Sequence, residues 1–241
     1  MLWHKVQGAG GSGASGDLTY SAADSDFEFG ASGNTQFSKT MAIGAEPGAG
    51  QKRVLVIAEG GASLSVNRDI STTSASVGGI SATKVAERLP SSTSYKQYVA
   101  VHTVEVPTGT TATVVLNSAN SRGFGVQIYA VYISDAADLT LFDSGTDAGT
   151  TTLTSTVDTP SGDSFAVAAA QYRNGETTPS LSFSGTLGIA TDYRQDIYTN
   201  ENFYAGSALV SGSGTELTAT TSDAGADGNE SVSVACVFYA T

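Results

Sequence analysis

The amino-acid sequence predicts an all-β protein: a jelly-roll-like β-sandwich built from two similar halves, with a flexible N-terminal arm. Three observations support this fold class. Apolar and polar residues alternate over short segments, turns rich in glycine separate these segments, and no long window carries the apolar stripe of an amphipathic helix. In addition, blocks of similar character recur in the same order roughly a hundred residues apart, which indicates a repeated architecture.

The repeat is clearest in its opening and closing blocks. The first copy opens with GQKRVLVIAEGGAS (50–63) and closes with FGVQIYAVYIS (124–134). The second copy opens with GDSFAVAAAQYRNG (162–175) and closes with SVSVACVFYAT (231–241). Because self-similarity at a fixed period reports architecture before chemistry, the pattern predicts one β-rich unit used twice.

The repeat also sets the expected domain boundaries. We predict an anchoring arm and Gly/Ser tether at 1–16, a first sandwich half at 17–134, a connection at 135–149 and a second half at 150–241. Within the connection, SDAADLTLF (134–142) reads as a linker or a single helical turn. The connection is short, which favours one compact module over two separate domains, but the sequence leaves both arrangements open.

The C-terminal strand illustrates the period-two pattern. Val232, Val234, Cys236 and Phe238 fall on one face, with residues of smaller or more polar character between them. Cys236 is therefore expected to be a buried structural residue. Because it is the single cysteine, the chain can form no intramolecular disulfide and no cysteine-based zinc site.

Composition and charge limit the partners. The formal net charge is −12 and only 14% of residues are charged, so the chain repels phosphate backbones and nucleic-acid binding is not expected. The N-terminus lacks the apolar region and cleavage site of a secretory signal. No run approaches the roughly 18 apolar residues of a membrane helix, so we expect neither a membrane partner nor export by a signal peptide.

The N-terminal arm carries the only tryptophan. Leu2, Trp3 and Val6 form a short apolar hook ahead of the flexible tether GAGGSGASG (8–16). Large aromatic side chains are typical interface anchors, so one interpretation is an arm that docks on another protein. The other interpretation is a floppy terminus.

The residues that usually carry catalysis are sparse. Only His4 and His102 are present, the motifs G-x-S-x-G and H-E-x-x-H are missing, and His102 lies inside an alternating strand where a structural role is expected. The glycine-rich start is not a phosphate loop, because no strand precedes it. We therefore predict no catalytic residue, no bound metal, no cofactor and no enzymatic activity.

Two groups of carboxylates leave alternatives open. Asp24, Asp26 and Glu28 alternate along one predicted strand, and the loop SDAGADGNES (222–231) is rich in acidic side chains. Solvated turn acids are the favoured interpretation of the loop. A calcium site is the alternative, although the loop lacks the spacing of an EF-hand. A pair of hydrolytic carboxylates is a further alternative that strand spacing does not resolve.

One aromatic segment is the main candidate contact surface. Planar aromatic rings stack on sugars while polar side chains bind hydroxyls, and the segment 192–204 concentrates both kinds. A polar loop with core tyrosines is the alternative, and Tyr95 and Tyr98 beside Lys96 form a weaker second candidate. The predicted contact residues are Tyr193, Arg194, Asp196, Tyr198, Asn200, Asn202 and Tyr204.

The order of four motifs carries a resemblance. GGISATKV (78–85), VPTGTTATVVL (106–116), TPSGDSFAVAAAQY (159–172) and SVSVACVFYA (231–240) follow one another in a way that resembles β-sandwich virion surface proteins of tailed bacteriophages and phage-like particles. The opening MLWHKVQGAGG is similar to the aromatic-plus-glycine start of phage minor structural proteins. The resemblance covers nearly the whole chain and supplies no catalytic residues.

The resemblance implies a non-enzymatic structural protein of the virion, assembled in the host cytoplasm. Its arm would dock on other virion proteins, and its sandwich would either contact host-surface glycans, in a tail fibre, tip or head spike, or decorate the capsid. By analogy with phage spikes it would be a homo-oligomer. A polysaccharide depolymerase and a stand-alone lectin-like module are the alternatives.

Overall fold

The fold is all-β, as predicted. The computed structural model describes residues 18–29, 36–63, 70–90, 96–121, 123–134, 136–149, 152–173, 180–183, 190–198, 201–213, 216–222 and 231–241. Within these ranges the chain forms strands and connecting segments and no helix. It follows that these ranges contain no helix of a kind that could cross a membrane.

The strands follow one another along the chain with short connections. They are β1 (Thr19–Phe29), β2 (Gln36–Ala42), β3 (Gln51–Ser63), β4 (Thr72–Val77), β5 (Ile80–Ser81), β6 (Thr83–Arg88), β7 (Lys96–Glu105), β8 (Thr111–Ser118), β9 (Gly123–Ser134), β10 (Leu139–Gly149), β11 (Thr152–Asp158), β12 (Ser161–Arg173), β13 (Ser180–Phe183), β14 (Ala190–Tyr198), β15 (Glu201–Ser213), β16 (Glu216–Ser222) and β17 (Ser231–Ala240).

These strands form four antiparallel sheets. Sheet I has the order β1-β9-β3-β7-β6, and sheet II has the order β2-β8-β4-β5. Sheet III has the order β10-β17-β12-β15-β14, and sheet IV has the order β11-β16-β13. Every strand up to β9 lies in sheet I or II, and every later strand lies in sheet III or IV, so each half of the chain builds its own pair of sheets.

The four sheets stack as layers in the order II, I, III, IV. Leu55 of sheet I packs with Phe37 of sheet II in one apolar core. Its neighbour Val56 points the other way and packs with Val167 of sheet III in a second core. A third core joins sheets III and IV and includes Leu217. The middle core contains residues of both halves, so the halves pack directly against each other.

Sequence pattern explains which sheets are inside. Strands of an inner sheet are buried on both faces and therefore read as nearly continuous apolar runs. The strand β3 is buried from Arg53 to Ser63, and β9 is buried from Gly123 to Ile133. In contrast, β11 of the outer sheet IV alternates strictly between exposed and buried residues, which is typical of a sheet with one face in water.

Phe203 of β15 packs closely across the interface between the halves. Its ring lies over two glycines of sheet I. A Cβ atom on Gly60 would come within 2.4 Å of the ring, and one on Gly125 would come within 2.6 Å. Only glycine therefore admits the ring this close to the backbone of the opposite sheet. The edge strands of sheets I and III are also in contact: β1 contacts β14 and β6 contacts β10.

Two details of the sequence prediction need correction. We expected residues 135–149 to be a connection, but Leu139–Gly149 is strand β10, paired with β17 along its length. The segment 134–142 was expected to be a linker or a single helical turn. It contains a tight turn, in which the N–H of Ala137 donates to the carbonyl of Ser134 at 3.0 Å, followed by the start of β10. The strand β10 was missed because it is the outermost strand of sheet III, where polar residues and glycine are tolerated.

Cys236 confirms the prediction of a buried structural residue. It is fully buried in the core between sheets I and III. Burial raises the pKa of its thiol above the ordinary value, with the nearby Asp143 carboxylate adding to the shift. The thiol therefore stays protonated at neutral pH and packs as a small apolar group.

Candidate functional site

The predicted contact segment lies on one edge of sheet III. Tyr193, Arg194, Asp196 and Tyr198 belong to β14, the outermost strand of that sheet, which pairs with β15. Asn200 lies outside the described residues. The backbone therefore places four of the seven predicted residues together on a single edge strand.

Asn202 and Tyr204 lie elsewhere. Both belong to β15 and are buried, with exposed fractions of 0% and 1%. The Tyr204 ring meets the Tyr172 ring edge-on, with 5.9 Å between ring centroids. These two side chains are part of the protein interior, so they do not reach a ligand in solvent. The sequence did not reveal this because polar and aromatic residues in a strand look alike whether they face the core or water.

Of the other predicted contact residues, most lie outside the described residues and one is buried. The arm residues Leu2, Trp3 and Val6 and the acidic loop residues 223–230 lie outside the described residues, as does Tyr95. Tyr98 is completely buried. Burial and the nearby Glu59 raise the pKa of the Tyr98 hydroxyl well above its ordinary value, so it stays protonated.

Two carboxylates of the first strand, Asp24 and Asp26, make contacts to backbone amides and to a lysine. Asp24 follows a β-bulge in β1. Its Oδ1 accepts the N–H of Ser25 at 2.9 Å, and its Oδ2 accepts the N–H of Ala42 at 2.8 Å. Asp26 pairs with Lys39 at 2.9 Å. Asp24 therefore ties β1 of sheet I to the end of β2 in sheet II.

The second half contains the same device. Asp143 follows a β-bulge in β10. Its Oδ1 accepts the N–H of Ser144 at 2.8 Å, and its Oδ2 accepts the N–H of Asp158 at 2.7 Å. An Asp-Ser dipeptide is the sequence feature that the two sites share, whereas the bulge is visible only in the structure.

A buried cation closes one end of the first half. The Arg53 side chain is fully buried, and its guanidinium donates to four backbone carbonyls. The acceptors are Gly44, Ala45, Val106 and Thr108, at distances of 2.7 to 3.3 Å. Arg53 therefore fastens two loops to β3, a role that its position in an apolar run did not suggest.

A shallow groove lies beside this end. It has a volume of about 310 Å³, at the lower limit of ordinary small-molecule sites. Small side chains line it, and none of the lining residues is charged. They are Ser21, Ala23, Ala42, Gly44, Ala45, Thr110 and Thr111. The groove thus offers little to orient a polar ligand.

A cluster of polar side chains is buried between sheets I and II. Glu59, Thr72 and His102 have exposed fractions of 0%, 4% and 1%. The Thr72 hydroxyl donates to Oε1 of Glu59, and Nε2 of His102 lies 2.9 Å from the same oxygen. His102 is therefore a buried partner of Glu59, in agreement with its predicted structural role. The partner itself was not predictable, because residues 59, 72 and 102 are far apart in the chain.

A second layer of contacts holds Thr72. Its N–H donates to Oε1 of Glu87 at 3.1 Å, and its carbonyl accepts from the Lys84 ammonium at 3.2 Å. Lys84 and Glu87 themselves pair at 2.6 Å. The strand β6 therefore fixes the backbone of Thr72.

The outer face of sheet IV presents threonine hydroxyls to solvent. Thr152, Thr154 and Thr156 occupy the exposed positions of β11. Thr218 and Thr220 of β16 stand opposite Thr156 and Thr154 in the register. The face is thus a regular, uncharged array of hydroxyl and methyl groups, bordered at one end by Asp158 and Glu216.

The comparisons with known proteins leave the site to be judged on its own chemistry. No family model, curated protein or solved structure matches this chain. Among the residues that the structure describes, no three His, Cys, Asp or Glu side chains are grouped to hold a metal ion.

Proposed function

We propose that this chain is a non-enzymatic structural protein of a tailed-phage or phage-like virion, built from two jelly-roll-like sandwiches that descend from one repeated unit. The strand order carries the proposal. Sheet I begins with the first, last and third strands of its half, and so does sheet III. Sheets II and IV both begin with the second, next-to-last and fourth strands.

This order supports the jelly-roll part of the proposal. In the first half most consecutive strands alternate between the two sheets, β1-β9-β3-β7-β6 and β2-β8-β4-β5; the exceptions are β4 with β5 and β6 with β7. Jelly rolls are frequent in viral capsid proteins and in lectins. The link from fold to function is an analogy, and it agrees with the resemblance of the sequence motifs to virion proteins.

The use of the charged side chains supports a structural role. Asp24 and Asp143 bind backbone amides between sheets, and Arg53 binds backbone carbonyls. Glu59 and His102 are sealed inside the first half. These groups serve the architecture of the sandwich, and the outer face of sheet IV offers uncharged hydroxyls suited to an exposed particle surface.

In this proposal the arm provides the attachment and the sandwich projects outward. Leu2, Trp3 and Val6 dock on another virion protein, and the tether at 8–16 gives the sandwich reach. The edge strand β14, with Tyr193 and Tyr198, contacts host glycans. Repetition of the chain around the particle multiplies weak contacts through avidity.

Particle incorporation tests the proposal. Particles are purified from producing cells that carry the wild-type chain, the triple variant Leu2→Ala/Trp3→Ala/Val6→Ala, or the matched control Gln7→Ala. We expect the wild type and the control to co-purify with particles and the triple variant to be lost at least tenfold. Circular dichroism of the purified triple variant should match that of the wild type.

Two outcomes contradict the proposal in different ways. A wild-type chain that never co-purifies with particles argues against a virion role. A triple variant that is incorporated normally argues against the arm as the anchor. For the glycan contact, binding of labelled protein to host cells should be saturable and should be lost after enzymatic stripping of polysaccharide. Release of reducing sugar ends in that assay would favour a depolymerase instead.

A further inference from the structure

One oxygen of Glu59 contacts two other polar side chains. Oε1 accepts the hydroxyl of Thr72 and lies 2.9 Å from Nε2 of His102. The other oxygen, Oε2, has no hydrogen-bond partner among the described residues, and neither does Nδ1 of His102. A buried acceptor without a partner costs about 1–3 kcal/mol, and more when it is charged. The arrangement is therefore expensive for as long as Glu59 keeps a free carboxylate.

We propose that Thr72 and Glu59 condense to an internal ester, which links β3 of sheet I covalently to β4 of sheet II. The Thr72 hydroxyl attacks the side-chain carbonyl carbon of Glu59. The bond from this carbon to Oε1 breaks, and Oε1 leaves as water. The step needs no oxidant, reductant or cofactor, and it does not depend on the proposed virion role.

The contacts at Oε1 supply both protons of the leaving water. One proton comes from the Thr72 hydroxyl, and the other comes from Nε2 of a protonated His102. A carboxylate, an imidazolium and a hydroxyl thereby become a neutral ester, a neutral imidazole and water, so atoms and charge balance. His102 acts as the general acid, which is a common role of histidine. Oε2 becomes the ester carbonyl oxygen.

The closeness of the reacting groups and their burial away from water favour the ester. Intramolecular reactions of well-placed groups reach effective molarities on the order of 10⁵–10⁸ M, which exceeds the concentration of water many times. Glu59, Thr72 and His102 are almost completely buried, so the ester is shielded from hydrolysis. Condensation also removes a buried negative charge, which is costly in an apolar interior.

The strand β6 positions the nucleophile. Glu87 and Lys84 hold the backbone N–H and carbonyl of Thr72, so its hydroxyl is directed toward Glu59 without freedom to drift. They act through Thr72 and do not touch the reacting atoms. The product is a covalent cross-link across the first sandwich, in a chain whose single cysteine, Cys236, can form no intramolecular disulfide.

The intact mass of the purified full chain tests the proposal. We expect the wild type to weigh one water less than its sequence predicts. Thr72→Val should have the full sequence mass, because it has no hydroxyl. The matched control Thr73→Val removes the exposed neighbouring hydroxyl and should still lose one water. A peptide digest should contain a linked pair carrying Glu59 and Thr72, and hydroxylamine should separate that pair.

The variant Glu59→Gln gives a sharper test. Its ester forms by loss of ammonia rather than water, so its final mass should equal that of the condensed wild type. His102→Gln should condense at least tenfold more slowly, because it has no proton to give at neutral pH. Circular dichroism should show all variants folded, which separates slow chemistry from misfolding.

Two results would overturn the ester. The first is wild-type protein that keeps its full sequence mass after prolonged incubation at neutral pH. The second is a water loss that persists in Thr72→Val. Such a loss would come from another dehydration, for example cyclisation at Asp227-Gly228, and the digest would place it in a different peptide.

Discussion

The two halves of the chain share a strand order and differ in the residues buried between their sheets. Both place an aspartate directly after a bulge in their first strand, where Asp24 stands opposite Ile128 and Asp143 stands opposite Val237. Each aspartate binds its own neighbour and one backbone N–H of the adjoining sheet. The residue after the bulge, Asp24 or Asp143, therefore serves as the reference position for aligning the strand registers of the two halves.

The comparison matches polar residues of the first half to alanines of the second. Glu59 lies two residues beyond the partner of Ile128, and Ala168 lies two residues beyond the partner of Val237. By the same register His102 corresponds to Ala208. A sandwich of this order thus forms without a buried acid and imidazole. The pair in the first half is an addition to the fold, which agrees with a chemical role.

The same register matches Arg53 to Gly162. Arg53→Leu should have the largest effect on stability, on the order of 5 kcal/mol, because even two buried carbonyls left unpaired cost about 1–3 kcal/mol each and the packed guanidinium is lost as well. Urea unfolding followed by circular dichroism measures the change in the free energy of unfolding.

Lys52→Met is the control for Arg53→Leu. Lys52 pairs with Asp138, whose side chain is 80% exposed, and such pairs contribute about 0–1 kcal/mol. If Arg53→Leu cost no more than Lys52→Met, the first half would not depend on its buried cation. The two halves would then be more alike than their cores indicate.

A second prediction addresses Glu59 and His102. All variants are made in Thr72→Val, in which no ester can form and Glu59 keeps its carboxylate. In this parent His102→Leu leaves the carboxylate buried without its imidazole, and removal of one partner of a buried pair costs about 3–5 kcal/mol. Adding Glu59→Met to His102→Leu restores an apolar core like that of the second half and should recover most of this loss. Urea midpoints of the two variants and of Thr72→Val itself measure the recovery. A variant with both changes that is as unstable as the one with His102→Leu alone would mean that the first half needs polar groups at these positions.

The strands and the inner core were largely predictable from sequence. Alternation in 231–241 located β17 and the buried Cys236, because a period of two identifies a pleated face. The polar edge strand β10 escaped this pattern, since a sheet edge imposes little burial. The segment of β3 was identified as the opening block of the first repeat copy, and the structure shows that its two faces belong to different cores.

The candidate sites were less predictable. The meeting of Glu59, Thr72 and His102 depends on register between strands, which sequence spacing does not encode. For Asn202 and Tyr204 the difficulty was composition. A polar aromatic segment indicated a contact surface, but strand β15 runs through the interior of the stack and turns both side chains inward. Four of the remaining predicted residues stay together on the edge strand β14.

The smallest effects should come from the feature that the halves share. Asp24→Asn and Asp143→Asn each replace an acceptor oxygen by an amide donor that faces a backbone N–H. Hydrogen bonds to charged groups contribute about 1.5–3 kcal/mol, so each variant should lose about 2 kcal/mol in urea unfolding.

Because the two aspartates lie in different halves, each beside its own outer sheet, the losses should add within about 0.5 kcal/mol in the double variant. Equal and additive losses would mean that one device serves the same purpose twice, as a repeated unit requires. A loss confined to one half would mean that the matching bulges are a coincidence of strand geometry. The alignment of Glu59 with Ala168 would then have no basis, because it is counted from Asp24 and Asp143.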